Sequence, residues 1–395
     1  GGWGVPQLLE THDASDAKRP QIAVAPNGEA VAVWIQPAGS LWTVWANHFD
    51  GDTWGSALPI AAIDDSDYPQ VAFDANGVAT AIWVQNETGG DAVWTTRSDG
   101  STWAAPQGFA YTFNTNVTDP QIIVEPNGKA LVVWTENSKL WANLFDGEKW
   151  GSRTLIETSP GYTFNPQAVL DSSGKAIVVW RLDVGVISRV RVGHFDGTTW
   201  ATPSFIEMKD GDVSSPQIAR GSNGDVIVTW SQSDGAYFNV WASHFDGTTW
   251  GEPKLLEAMD QGNAFVAQIA IDPQGSAMVV WDQSDGVSDN TWANHFDGKE
   301  WTGPKKIQLE DAGESLTPRV VMDHSGKATA VWVQKQNDSH LHLWANRFDG
   351  SKWGTAELIE ADLGGSFGCE IGVDGSGRVH VVWHQSDDPF YNIWT

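Results

Sequence analysis

Cysteine, basic residues and long apolar runs are all scarce in this sequence. Cys369 is the single cysteine among 395 residues, so an intrachain disulfide is excluded. No apolar run reaches the roughly 18 residues that a membrane-spanning helix needs, so we expect no membrane insertion. Lysine and arginine number 23 against 50 acidic residues, which gives a formal charge of -27. Nucleic acids and anionic membranes are bound by basic patches, so this balance argues against both as partners.

Metal-binding motifs are missing as well. The chain has no D-x-D-x-D-G spacing for calcium and no H-E-x-x-H motif for zinc. His340 and His342 are two residues apart, but His48, His194, His244 and His295 are spread one to a repeat. We therefore predict no metal and no cofactor.

One repeated pattern fills the chain. In the copy at 216–257 it reads PQIARGSNGDVIVTW, then a variable loop, then WASHFDGTTWGEPKLLE. Eight copies begin near residues 20, 69, 120, 166, 216, 267, 318 and 369. Their spacings of 46 to 51 residues indicate a repeat architecture, so we assign residues 1–395 to one domain.

Each copy predicts four short β-strands separated by glycine turns. The first follows Pro-Gln, the second is rich in valine and ends in tryptophan, the third carries W-A-N-x-F, and the fourth opens with Trp-Gly. Glycine in the intervening turns supplies the positive φ that tight hairpins need. Four strands per unit at this period are typical of propeller blades. We predict an all-β fold: a single eight-bladed β-propeller with four antiparallel strands per blade.

The two chain ends predict how the propeller closes. Residues 3–10 read WGVPQLLE and match the fourth strand WGEPKLLE of the copy at 216–257. The eighth copy stops at Thr395, within its third strand. We expect residues 1–10 to complete the last blade, which would remove an exposed strand edge.

The segments that follow the third strand resemble the Asp box of sialidase-like (BNR-repeat) propellers, which reads S-x-D-x-G-x-x-W. The matching residues include Asp50-Gly51…Trp54 and Asp246-Gly247…Trp250, with Phe usually in place of Ser and with Asp and Gly adjacent. The resemblance implies a propeller in which the box is a structural turn, away from the active site. The family's catalytic residues have no clear match: Lys18-Arg19-Pro20-Gln21 is not its F/Y-R-I-P motif, and only five tyrosines are present. We therefore expect that the chain is not an enzyme.

The loops between second and third strands vary most and are the predicted ligand site, on the face opposite the Asp-Gly turns. They combine Gln, Ser, Asp and Asn with single aromatic rings, which suits sugar hydroxyls and the apolar face of a pyranose, although a merely solvated loop would look similar. The repeated tryptophans are instead expected to pack between blades. The Gln that begins each innermost strand is replaced by charge in two copies. The predicted ligand-binding residues are Gln232, Asp234, Tyr237, Gln283, Asp285, Gln334, Gln385, Asp387, Tyr391, Trp42, Arg319 and Glu370.

These observations favour a non-catalytic, lectin-like propeller that binds carbohydrate outside the cell. Its plan is similar to that of tandem-repeat propeller lectins, which implies sugar sites between neighbouring blades. A protein-interaction or structural scaffold of an extracellular assembly is the alternative, and a sialidase-like glycoside hydrolase is a second. A lectin predicts repeated inter-blade pockets, a scaffold predicts one extended patch, and an enzyme predicts one deep central site with two carboxylates.

Overall fold

The computed structural model describes residues 2–10, 15–61, 65–87, 89–110, 115–207, 211–258, 262–309, 313–335, 340–360, 364–387 and 389–395. Within these ranges every regular element is a β-strand. None of the described residues belongs to a helix long and apolar enough to cross a membrane.

The strands form eight sheets, which we call blades and number along the chain. Blade 1 contains β1 (Lys18–Val24), β2 (Ala30–Ala38), β3 (Leu41–Phe49) and β4 (Leu58–Pro59). Blade 2 contains β5 (Ser66–Phe73), β6 (Ala79–Glu87), β7 (Gly90–Ser98) and β8 (Gln107–Ala110). Blade 3 contains β9 (Val117–Val124), β10 (Ala130–Glu136), β11 (Lys139–Phe145) and β12 (Thr154–Leu155). Blade 4 contains β13 (Tyr162–Leu170), β14 (Ala176–Val184), β15 (Ile187–Phe195) and β16 (Ser204–Phe205).

The second half of the chain repeats this order. Blade 5 contains β17 (Val213–Arg220), β18 (Val226–Ser233), β19 (Phe238–Phe245) and β20 (Lys254–Leu255). Blade 6 contains β21 (Ala264–Ile271), β22 (Ala277–Ser284), β23 (Asp289–Phe296) and β24 (Lys305–Lys306). Blade 7 contains β25 (Ser315–Met322), β26 (Ala328–Lys335), β27 (Leu341–Phe348) and β28 (Glu357–Leu358). Blade 8 contains β29 (Ser366–Val373), β30 (Val379–Ser386) and β31 (Tyr391–Trp394). In every blade the strands pair in chain order, so the chain is an all-β, eight-bladed β-propeller, as predicted.

The fourth strands are shorter than the sequence pattern predicts. In blade 5, Trp250 forms only an isolated bridge with Phe245, and the paired segment after it is the two-residue strand β20. Pro253 lies between the two, and proline has no N–H to donate to a neighbouring strand. The outer edge of the blade is therefore discontinuous.

By its internal contacts the chain divides into two compact units. One consists of residues 1–6, 179–192 and 204–371, and it contains blades 5, 6 and 7. The other consists of residues 7–178, 193–203 and 372–395, and it contains blades 1, 2 and 3. The assignment of all 395 residues to one domain stays a prediction.

Within the second unit the two chain ends pair with each other. Gln7 N donates to Thr395 O at 2.9 Å, Thr395 N donates to Gln7 O at 3.0 Å, and Leu9 N donates to Ile393 O at 2.8 Å. The side chain of Glu10 adds an acceptor for Ile393 N at 2.8 Å. The N-terminal segment thus supplies the outer strand of blade 8, and the predicted closure is confirmed.

Each blade buries the tryptophan of its second strand, which was predicted to end there but continues beyond it, as β22 does from Trp281 to Ser284. Trp281 is 0% exposed and packs with Leu256, which comes from the fourth-strand segment of the preceding blade. The same contact recurs for Trp34 with Leu9, Trp83 with Ile60, and Trp332 with Ile307. These tryptophans pack between blades, as predicted, because a large ring fills the space between two sheets.

A hydrogen-bond relay holds the same tryptophan from its polar side. Trp281 Nε1 donates to Gln283 Oε1 at 3.1 Å, Gln283 Nε2 donates to Glu257, and Glu257 Oε1 accepts from Val240 N at 3.3 Å. An equivalent relay runs through Trp34, Gln36, Glu10 and Ile393 at the junction of the chain ends. We call this the Trp–Gln–Glu relay. It links adjacent blades while pairing buried polar groups that would be costly to leave unpaired.

Candidate functional site

Six of the residues that were predicted to lie in the variable loops lie in strands instead: Trp42 in β3, Tyr391 in β31 and four glutamines. Gln232 is 5% exposed within β18, and its Oε1 accepts a hydrogen bond from Trp230 Nε1 at 3.1 Å. Gln283, Gln334 and Gln385 accept in the same way from the indoles of their own blades, at 3.1, 3.0 and 2.9 Å. This corrects their placement in the variable loops: their carbonyl oxygens hold the core tryptophans.

Two of the three predicted aspartates, Asp234 and Asp285, cap their own turns. Asp234 Oδ1 accepts from the backbone N–H groups of Ala236 and Tyr237 at 2.8 and 2.9 Å, and Asp285 makes the equivalent pair of bonds at 3.0 Å each. These backbone donors lower the pKa of both carboxyl groups. Asp387 accepts from an indole N–H and a side-chain amide of its own blade. Asp234 and Asp285 therefore stabilise turns, and Asp387 holds two side chains of its own blade.

The predicted aromatic residues each have separate surroundings. Tyr237 is 37% exposed. The ring of Tyr391 lies 5.9 Å from that of His384, and Lys18 Nζ lies 4.7 Å from the centre of the Trp42 ring. In the variable loop after Gln334, residues 336–339 lie outside the described residues. Of these contacts, the one between the Lys18 ammonium group and the Trp42 ring, in blade 1, is a cation–π interaction.

Two predicted residues, Arg319 and Glu370, form an ion pair. Nε and Nη2 of Arg319 donate to Oε1 of Glu370 at 3.1 and 3.0 Å, and Arg319 Nη1 donates to Pro318 O at 3.2 Å. The two side chains come from the first strands of blades 7 and 8. The two charged departures from the repeated Gln therefore neutralise each other.

Asp282 is a buried carboxylate that the sequence analysis did not single out. It follows the buried tryptophan of blade 6, is 8% exposed, and accepts from Thr317 N at 2.8 Å. Thr317 lies at a β-bulge with a φ of 52°, so the bond holds strained backbone. Among the described residues, the other carboxylate oxygen of Asp282 has no hydrogen-bond partner. Comparison of the repeats could have identified Asp282, because the equivalent residue in blade 5 is the uncharged Ser231.

We expect Asp282→Asn to stabilise the protein at neutral and higher pH. Burial raises the pKa of Asp282 well above its usual value, and the nearby acids Asp289 and Glu314 raise this pKa further. The hydrogen bond from Thr317 N and the charge of Arg319 lower the pKa, but burial outweighs both. The folded state therefore holds the proton more tightly, and this contribution to stability is lost as pH rises from the unfolded pKa, about 4, through the folded pKa. The melting temperature of the variant should exceed that of wild type increasingly with pH, with the difference vanishing below about pH 4. A constant difference from pH 4 to pH 8 would contradict the assignment.

Two grooves lie between neighbouring blades, beside the Asp-Gly turns. Groove 1–2 has a volume of about 780 Å³ between the outer segments of blades 1 and 2, and groove 6–7 has about 760 Å³ between those of blades 6 and 7. Their linings are equivalent in the repeat and pair His48 with His295, Asp50 with Asp297, Ile60 with Ile307, Trp103 with Trp353, and Ala105 with Thr355. The variable loops predicted a ligand face at the opposite end of the blades, so these grooves were not expected from the sequence.

Each groove offers an aromatic ring together with polar side chains. Trp353 is half-buried and packs on Phe348, with ring centres 5.7 Å apart. Backbone donors lower the pKa of Asp297 in groove 6–7, as they do for Asp50 in groove 1–2. His295 Nε2 lies 2.8 Å from Ser276 Oγ. This combination suits a sugar. The half-buried ring can contact the C–H surface of the sugar, and the carboxylate and imidazole can form hydrogen bonds with its hydroxyls.

A metal would need a different arrangement of ligands. In the described part of the chain, no three His, Cys, Asp or Glu side chains come together in a way that could hold an ion. That the chain uses no metal and no cofactor stays a prediction.

No protein-family model and no curated protein matches this chain. Solved structures do. An ulvan lyase, described as a polysaccharide lyase bound to -[GlcA(1-4)Rha3S]-, is 13% identical over 99% of this chain and 93% of its own, with a TM-score of 0.54. A puromycin-hydrolysing peptidase of Mycobacterium tuberculosis is 13% identical over 94% of this chain and 58% of its own, with a TM-score of 0.53. A sialidase of Trypanosoma rangeli is 15% identical over 75% of this chain and 56% of its own, with a TM-score of 0.39.

These likenesses concern the fold alone, because the identities are 13 to 15%. At that level the chain is a β-propeller. Proteins with this fold include enzymes that act on polysaccharides and a peptidase, so the fold does not decide the activity.

Proposed function

We propose that this protein is a non-catalytic propeller that binds carbohydrate outside the cell, and that the sugars occupy its inter-blade grooves. The observation that carries the proposal is the recurrence of one groove in two places. Groove 1–2 and groove 6–7 have nearly the same volume and equivalent lining residues. Repeated equivalent pockets are what a tandem-repeat lectin requires, whereas an enzyme requires one privileged site.

The chemistry of the grooves supports a sugar ligand. Ligand pockets typically measure about 300–1,000 Å³, and both grooves fall within that range. Trp103 and Trp353 are half-buried, so each keeps part of its ring available to stack on a pyranose. Asp50 and Asp297 provide carboxylates that stay ionised and accept hydrogen bonds from sugar hydroxyls. Several weak sites on one molecule raise the avidity for a polymeric glycan. An ulvan lyase of the same fold, bound to a sugar chain, is a further reason to consider carbohydrate.

A glycan array on the purified protein tests the proposal, and two variants locate the site. Ala105→Trp and Thr355→Trp each place a bulky ring at an exposed position that lines groove 1–2 or groove 6–7. We expect each to abolish binding in its own groove and the double variant to reduce array signal at least about tenfold, since blocking both sites also removes avidity. Val287→Trp is the matched control, because Val287 is 95% exposed and lines neither groove.

Binding to no glycan at high protein concentration would contradict the proposal, and unchanged binding by the double variant would refute the location. Hydrolysis of a bound glycan in the same assay would favour the sialidase-like hydrolase instead.

One observation favours a second candidate, the protein-interaction scaffold. The hairpin between β14 and β15 is apolar where other blades carry polar residues, with Val184, Val186 and Ile187 exposed by 46, 94 and 48%. Exposed apolar side chains grouped in one hairpin are typical of protein contacts. If the array is silent, this hairpin is the first surface to test for a protein partner.

A further inference from the structure

Three lysines distinguish groove 6–7 from groove 1–2. Lys305, Lys306 and Lys352 line groove 6–7, and the equivalent residues of groove 1–2 are Leu58, Pro59 and Thr102. The protein has only 23 basic residues against 50 acidic ones, so three lysines around one cavity are a local reversal of its charge. Two grooves built on the same repeat therefore differ chiefly in electrostatics.

The acids in and beside groove 6–7 each cap a turn of the protein through one carboxylate oxygen. Among the described residues that line it, Asp297 is the one acid, and its Oδ1 accepts from the backbone of Lys299 and Glu300 at 2.9 Å each. Asp285 and Asp349 act on Lys306 and Lys352 from outside the lining, and each caps a turn with its own backbone bonds. The groove lining keeps three cations against one anion.

We propose that groove 6–7 binds an acidic glycan, with its lysines contacting a carboxylate or sulfate group on the sugar, and that groove 1–2 accepts neutral sugar. This inference rests on the proposed function. An ammonium group donates up to three charge-assisted hydrogen bonds to such an anion, and the half-buried Trp353 stacks on the ring that carries it. Lys305 and Lys352 are exposed, so both can reach a ligand that lies along the groove. In groove 1–2, Asp50 is the one acid and no described lining residue is lysine or arginine, which disfavours an anion there.

Calorimetric titration with three oligosaccharides tests the inference: an oligogalacturonate, a sulfated dextran oligomer and a neutral dextran oligomer. The test variant is Lys305→Gln/Lys306→Gln/Lys352→Gln. The control, Lys254→Gln/Lys299→Gln/Lys335→Gln, removes the same charge from exposed positions outside the groove. We expect the test variant to lose at least about tenfold in affinity for one or both acidic oligomers, and the control to lose little, because short-range hydrogen bonds and not net charge hold the ligand. Comparing the two acidic oligomers identifies the group bound.

Each result decides a different point. Glycan binding by wild type with equal affinity for acidic and neutral oligomers, or equal losses in the test and control variants, would overturn this inference and leave the proposed function standing. Competition by inorganic sulfate as strong as by the oligomers would also overturn it, since the groove would then hold an anion and no sugar. Absence of binding to any glycan, neutral or acidic, would instead refute the proposed function itself.

Discussion

Replacing Trp281 with alanine should lower the free energy of unfolding by about 3–5 kcal/mol. The side chain is 0% exposed, and it lies in one apolar cluster with Leu256 of the preceding blade and Phe296 of its own. Removing the indole leaves a cavity that two sheets with fixed strand pairing cannot close. It also leaves Gln283 buried without the N–H that its carbonyl accepts, which costs roughly a further 1–3 kcal/mol. Differential scanning calorimetry of wild type and variant measures the effect.

Substitution of the buried tryptophans by phenylalanine distinguishes the contribution of packing to stability from that of the Trp–Gln–Glu relay. Blade 4 lacks the relay, because Leu182 stands where other blades carry Gln or Glu, and Trp180 Nε1 is buried with no hydrogen-bond partner among the described residues. Trp281→Phe therefore loses a ring and a hydrogen bond, whereas Trp180→Phe loses the ring and relieves an unpaired N–H. We expect Trp281→Phe to be the more destabilising of the two by about 1–3 kcal/mol. Equal losses would mean that the relay contributes nothing to stability.

Most of the fold could be predicted because the sequence contains eight copies of the same strand pattern. The Asn-Gly and Asp-Gly turns recur at fixed distances from tryptophan, so the register of each hairpin follows from chemistry that acts within a few residues. The N-terminal match to a fourth strand predicted closure for the same reason. The length of the fourth strand was wrong, since a pattern of apolar residues does not show that Pro253 interrupts the pairing.

The candidate site was harder to predict because its contacts join residues far apart in sequence. Gln232 looked like the start of a polar loop, yet its position two residues after Trp230 places it under the indole. Nothing in the local sequence indicates that Glu257 reaches into the next blade to bind Gln283. The grooves lie between the outer segments of neighbouring blades, so they depend on packing and leave no motif. Asp282 could have been found, since it is the one acidic residue at a position that follows the second-strand tryptophan in every copy of the repeat.

The second large effect concerns closure: Leu9→Ala should destabilise the protein by about 2–5 kcal/mol. Leu9 is 1% exposed and packs with Trp34 and Ile393, so truncation opens a cavity where the chain ends meet. Its neighbour Leu8 is 40% exposed, and Leu8→Ala should change stability by no more than about 0.5 kcal/mol. The melting temperatures of the two variants, measured side by side, distinguish burial of this segment from mere proximity.

Blade 5 provides a matched reference, because no chain end interrupts it. Leu256 and Leu255 occupy the positions of Leu9 and Leu8, with exposures of 1% and 48%. If the N-terminal segment is a full structural member of blade 8, Leu9→Ala and Leu256→Ala should cost the same within about 1 kcal/mol, since each removes the same group from the same inter-blade contact. A much smaller loss for Leu9→Ala would show that the terminal strand frays before the molecule unfolds. Glu10→Ala then distinguishes the relay from the apolar contact, because Glu10 accepts from both Ile393 N and Gln36 Nε2 and its removal deletes both of these buried hydrogen bonds.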